Sequence, residues 1–192
     1  MKKGLTSCLT VLLCAGVLFA PTSFAADKFE VTASEVFDPY GILGPPTGEF
    51  LSFGTVKCPG YEPTGNPAQP CPVGSRQHTR DVVVKSRTES SDPAMSGWMT
   101  VVLNSNLDAD GAGPVWGTFR TELDGGGIWE GTWQGLRTAE DGYWLAPLHV
   151  VGKGYGGLVD QMQMMGEDYI WSPFTPPIAY LGSISVRILD PK

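Results

Sequence analysis

The stretch "VWGTFRTELDGGGIWEGTWQGLR", residues 115–137, decides how the chain is to be read. Residues at its two ends alternate between bulky and small or polar types, which is the period-2 pattern of β-strands. Asp124, Gly125, Gly126 and Gly127 lie between the arms and supply the positive φ angles of a tight reversal. The segment is therefore a β-hairpin. With a four-residue loop, Leu123 faces Ile128, Thr121 faces Glu130 and Phe119 faces Thr132. Trp116, Arg120 and Glu122 then share the opposite face with Trp129 and Trp133, and a one-residue slip would exchange the faces of one arm. Gly131 and Gly135 alternate with the tryptophans, and missing side chains at such positions let a sheet bend sharply, as a small closed barrel requires.

The same alternation recurs along the rest of the chain. Strands are expected at 48–57, 77–87, 97–106, 115–123, 128–137, 143–152, 156–165 and 179–189, separated by turn clusters such as "NLDADGAGP", "DGGG" and "TAEDG". No strand–helix–strand rhythm appears, and no internal boundary divides the chain. Charged residues make up only 17% of the sequence, while 25 glycines and 16 prolines accompany a hydrophobic content of 42%. Few charges and many turn-formers, with that much apolar material, describe a compact all-β protein rather than a disordered one. The expectation is one antiparallel barrel or barrel-like sandwich of about eight strands, formed by residues 26–192.

Residues 1–25 have another character. Lys2 and Lys3 precede an apolar run that extends to Ala20, and Ser23-Phe24-Ala25 offers small residues for cleavage. Asp27, Lys28 and Glu30 come immediately after, so the segment reads as a secretory signal rather than a membrane anchor. A lipid-attachment reading fails because Cys8 comes before an apolar segment could form and Cys14 follows Leu13. No later run is long enough to cross a bilayer as a helix. The net charge of −7 becomes more negative once Lys2 and Lys3 are removed, which argues against nucleic acid or anionic membrane as partner. Cys58 and Cys71 are then the cysteines of an exported chain, and in an oxidising compartment they are expected to pair.

Two motifs dissolve on inspection. "GKGYGG", beginning at Gly152, fits the dinucleotide fingerprint, but the next residues are "LVDQMQMM", which alternate and lack the required helix. The glycines are read as a turn or bent strand with tight packing, and nothing in the sequence calls for a cofactor. "NLDADG" places Asn106, Asp108 and Asp110 as in the first half of a calcium loop. Its twelfth position is Gly117, where a bidentate glutamate belongs, so a solvated turn explains the same letters and no metal is assigned.

The candidate ligand-binding residues are Trp116, Arg120, Trp129 and Trp133, since tryptophans beside a cation can hold apolar or aromatic molecules by stacking and cation–π contact. Ordinary core packing is the alternative. For catalysis the inventory is short. Glu130, between Trp129 and Gly131, is the carboxylate expected on an enclosed face, where its pKa would rise. His149 in "APLHVVG" is the other acid–base candidate, against a satisfied core histidine.

The stretches "FRTELDGGGIWEGTWQGLRT" and "VVGKGYGGLVDQMQM" resemble the small calycin-like barrels grouped with allene oxide cyclase and dirigent proteins and their bacterial relatives. The resemblance covers roughly residues 115–165 and implies an antiparallel barrel of about eight strands with an apolar lumen. No substrate-positioning motif of those families can be placed on this chain, and the Pro-rich segment carrying Cys58 and Cys71 departs from their pattern. Three functions are expected in order: an exported binding protein holding a small apolar or aromatic molecule in its lumen; a cyclase- or isomerase-like enzyme confining an apolar substrate, with Glu130 or His149 as acid or base; and a structural or interaction protein whose barrel is filled by side chains.

Overall fold

The computed structural model describes residues 27–65, 70–173 and 179–191, so the expected signal at 1–25 lies outside the described residues. Ten strands succeed one another along the chain: β1 (Asp27–Phe37), β2 (Glu49–Ser52), β3 (Thr55–Lys57), β4 (Gln77–Glu89), β5 (Gly97–Leu107), β6 (Gly113–Leu123), β7 (Ile128–Glu140), β8 (Tyr143–Tyr155), β9 (Gln163–Pro173) and β10 (Tyr180–Asp190). A 3-10 turn at Gly157–Val159 is the single helical element among the described residues. None of their helices is long and apolar enough to cross a membrane.

Every pairing is antiparallel, and the sheet closes. From β4 the order runs through β5, β6, β7, β8, β9 and β10 to β1, and β1 pairs back onto β4 through Ser34–Glu89, Glu35–Thr88 and Val36–Arg87. Eight strands thus complete the ring, which leaves no open edge along its main path. At the seam β1 covers only the last residues of β4, and β2 and β3 cover the rest of that edge back to His78. Closure needs strong local bending. Glycines opposite aromatics provide it: a Cβ on Gly131 would stand 2.5 Å from the Phe119 ring, and one on Gly117 would stand 2.8 Å from that of Trp133. The two rings lie over bare backbone of the next strand, and this is how both fit inside.

The hairpin at 115–137 has a register one residue away from the expected one. Glu122 pairs with Ile128, Phe119 with Gly131 and Arg120 with Glu130. Gly127, with φ 104°, forms a bulge whose carbonyl accepts from the Leu123 amide, so Leu123, the last residue of β6, closes the turn without a partner of its own on β7. This shift turns Trp129 and Trp133 to the same side as Phe119 and Thr121, and separates them from Trp116, Arg120 and Glu122.

The inward set forms one core, including Val31, Phe37, Val84, Val101, Phe119, Trp129, Trp133, Val150 and Ile184. The two ends of the barrel differ. At the end of the 123–128 turn, Trp129 is buried with Ala94, Met95 and Val159, and its indole Nε1 donates to the Ala94 carbonyl at 2.7 Å. The loop at 90–96 and the Gly157–Val159 turn therefore plug this end. Toward the other end, where β7 turns into β8, Val82, Leu103, Ile170 and Tyr180 remain only partly buried against the core.

Two further expectations meet the structure directly. Cys58 and Cys71 form a disulfide, with Cα atoms 5.4 Å apart. At "GKGYGG" the chain carries β8 as far as Tyr155 and then turns. Gly157 adopts φ 55°, and a Cβ there would stand 2.3 Å from the Gly126 carbonyl oxygen, so the turn packs directly on the hairpin loop.

Candidate functional site

Alternation places acidic residues where core residues should stand in two strands. In β1 the inward positions are Phe29, Val31, Ala33, Glu35 and Phe37; in β9 they include Met164, Gly166, Asp168 and Ile170. Glu35 and Asp168 are consequently buried inside the barrel, 2% and 5% exposed. Gly182 of β10 lies between them. Glu35 pairs with Gly182, and a Cβ on that residue would stand 2.8 Å from Asp168 Oδ1 and 3.0 Å from Glu35 Cβ. The bare backbone at Gly182 is thus what allows two carboxyl groups to meet across an intervening strand.

The pair sits in a small polar cluster. Ser86 Oγ donates to Glu35 Oε1 at 2.6 Å and the Tyr180 hydroxyl donates to the same oxygen at 2.8 Å. The Tyr180 ring stacks on Phe37, with centroids 5.2 Å apart. Burial pushes the Glu35 carboxyl upward against the opposing influence of hydrogen bonds from Ser86, Tyr180 and Asp168. Asp168 is pushed up to about 9, chiefly by burial and then by the charge and hydrogen bond of Glu35. Burial, and after it the Glu35 charge, also raises the Tyr180 phenol well above its ordinary value. At neutral pH the pair therefore retains a proton between its two carboxyl groups. Asp168 Oδ1, above Gly182, has no hydrogen-bond partner. Such a cluster can accept from or donate to a polar group brought into the interior, and it can exchange a proton with it.

A second polar group, Arg137, lies partly buried toward the end where β7 turns into β8. Arg137 is in phase with Trp129 and Trp133 and faces inward. Its guanidinium lies 3.9 Å from the centroid of the Trp144 ring, and Nε is buried without an acceptor. Burial lowers its pKa to about 10, so the group keeps its charge at neutral pH.

The residues expected from sequence are divided between the two surfaces of the barrel. Trp129 and Trp133 are interior. Trp116 and Arg120 are on the outer face, where Arg80 stacks over Trp116 at 5.0 Å and Arg120 forms an ion pair with Glu130. The expected common aromatic face with Arg120 does not exist, because the Gly127 bulge shifts the register. Glu130 is also outward and substantially exposed, not enclosed, since the inward positions of β7 are the odd-numbered ones. His149 is exposed on β8, opposite Gln134 and Glu167, and it shares with Trp116 a shallow groove across the outer face of β6 to β9. Tyr143, Leu145, Tyr169 and Trp171 line a smaller apolar depression, also on the outer face. In the "NLDADG" turn Asp108 Oδ1 accepts from the amides of Asp110 and Ala112, and Asn106 Oδ1 accepts from Arg80. Those oxygens serve the turn and the ladder.

Fold and site together define an antiparallel β-barrel, closed through eight strands, with an acidic pair in its interior. Compared with protein-family models, curated proteins and solved structures, the chain matches none.

Proposed function

We propose that this chain is an exported binding protein for a small, largely apolar or aromatic molecule held inside the barrel. The observation that carries the reading is the polar cluster of Glu35, Asp168, Tyr180 and Ser86, set among apolar walls with one carboxyl oxygen unmet. Burying an incompletely satisfied carboxyl group costs about 1–3 kcal/mol or more, and apolar replacements of the same volume are often neutral or stabilising. A chain whose interior served only packing would gain from losing the pair. Departures of this kind concentrate at functional sites. The molecule would enter where Val82, Leu103, Ile170 and Tyr180 are only partly covered, since the other end is plugged by Trp129, Ala94, Met95 and Val159. Its apolar body would lie against the walls and a polar group would meet the carboxyl pair. The signal-like leader and the Cys58–Cys71 disulfide support export.

One observation favours the filled-barrel reading: the groove at Trp116 and His149 and the depression at Tyr143 and Trp171 lie on the outer face, while Phe119, Trp129 and Trp133 occupy the interior. The confining-enzyme reading passes from Glu130 and His149, which face solvent, to Glu35 and Asp168. Titrating the disulfide-bonded protein with the uncharged probe N-phenyl-1-naphthylamine separates binding from filling. A lumen site gives saturable probe fluorescence excited by energy transfer from the interior tryptophans. A filled barrel gives no saturable signal below the solubility limit of the probe.

A further inference from the structure

We propose that Arg137, stacked on Trp144, receives the anionic head of the ligand, and that the ligand is an apolar or aromatic carboxylate whose body occupies the interior. This rests on the lumen-binding reading above. Arg137 faces inward near the turn between β7 and β8, the end where the core residues are only partly covered. No carboxylate among the described residues lies within ion-pairing distance of it; Arg87, Arg120 and Arg187, by contrast, pair with Asp124, Glu130 and Glu30 on the outer surface. Its Nε is buried without an acceptor, and leaving a buried guanidinium nitrogen unpaired is costly. The carboxyl pair of Glu35 and Asp168 does not supply that charge, because its hydrogen bonds run to Ser86, Tyr180 and between the two acids.

The guanidinium is also held in position. One face lies over the Trp144 ring at 3.9 Å, and Trp144 packs against Gly111, where a Cβ would stand 2.3 Å from its Cη2 atom. The 108–112 turn thus fixes the indole, and the indole fixes the plane of the guanidinium. A planar fork of N–H donors held in this way matches a carboxylate, which can accept two parallel hydrogen bonds. With its anionic head at Arg137, the ligand would lay its apolar body along Ile170, Leu103 and Tyr180 and present a second polar group to the carboxyl pair.

The test uses two probes with the same aromatic body, 8-anilinonaphthalene-1-sulfonate and its uncharged parent N-phenyl-1-naphthylamine, against the full disulfide-bonded protein and two variants. The wild type is expected to bind the anionic probe more tightly. Arg137→Gln should weaken the anionic probe by roughly tenfold to a hundredfold and leave the neutral one unchanged, as the loss of a charge-assisted hydrogen bond implies. Arg137→Lys, which keeps the charge but not the fork, should retain part of the preference and serves where the glutamine variant fails to fold. Equal binding of both probes by wild type, or equal weakening of both in the variants, would overturn the assignment of Arg137 while leaving the lumen in place. If neither probe binds, both this inference and the lumen reading fall.

Discussion

Replacing Asp168 by asparagine should make the protein more stable as pH rises, relative to wild type. Asp168 has an ordinary value of 3.8 in the unfolded chain and about 9 inside the barrel. Between those values the folded chain holds a proton that the unfolded chain has released. Unfolding then releases that proton, so the stability associated with this group is fully present below 3.8 and is lost as pH climbs toward 9. The slope for one proton is about 1.4 kcal/mol per pH unit, so the loss between pH 5 and pH 8 is about 4 kcal/mol, a large part of the roughly 5–15 kcal/mol typical of a domain. Glu35, also raised, acts in the same direction. Asp38 and Asp124 are held below their ordinary 3.8, so their contributions are lost only as pH falls through still lower values, outside this window. The asparagine amide of the variant can donate to Glu35 as the protonated carboxyl does, at every pH. Urea unfolding of the disulfide-bonded proteins at pH 5, 6, 7 and 8, monitored by tryptophan fluorescence, should show a steep decline for wild type and a flatter one for Asp168→Asn. Parallel lines would refute the assignment of a retained proton to Asp168.

Other perturbations have expected outcomes of comparable size. Gly182→Ala introduces a Cβ 2.8 Å from both Asp168 Oδ1 and Ile170 Cδ1, and should destabilise by about 1–3 kcal/mol in the same urea assay. Trp129→Ala removes a side chain only 1% exposed and leaves the Ala94 carbonyl without its donor; a loss of about 3–5 kcal/mol is expected, read as a lower midpoint. Removing the Cys58–Cys71 link with a paired alanine variant should cost about 3 kcal/mol in the chain-entropy description, and the midpoint should not respond to added reductant.

Most of the barrel was legible because its strands obey a simple rule. Six of the expected segments, at 77–87, 97–106, 115–123, 128–137, 143–152 and 179–189, coincide with β4 to β8 and β10. The expected 48–57 strand divides into β2 and β3, around Gly54 at φ 59°. The expected 156–165 strand begins late, since Gly156 and Gly157 first take the chain through a turn and β9 starts at Gln163. β1 escaped the reading altogether. Its inward row of Phe29, Val31, Ala33 and Phe37 is interrupted by Glu35, and an acid in a core position hides the alternation that hydrophobicity alone would display.

The candidate site was hidden for the same reason. Glu35 and Asp168 are far apart in sequence, and only closure of β1 onto β10 and of β10 onto β9 brings them together. The available signal was each acid's phase: both stand where the alternation of their own strand demands an apolar residue. Glu130 drew attention through its tryptophan neighbour, yet it lies on the opposite face of the strand from Trp129. The common face expected for Trp116, Arg120, Trp129 and Trp133 depended on the hairpin register. Gly127 settled that register as a bulge, a choice that a run of three glycines does not reveal.

Native mass spectrometry of the protein purified from an oxidising, exported preparation, with subsequent denaturation and extraction, tests the lumen-binding account most directly. The account predicts a non-covalent mass that is released on denaturation and proves to be a small apolar carboxylate, together with a two-proton mass deficit for the disulfide. A protein that carries its disulfide, shows no added mass and takes up neither naphthalene probe would contradict it, and would leave a barrel filled by its own side chains.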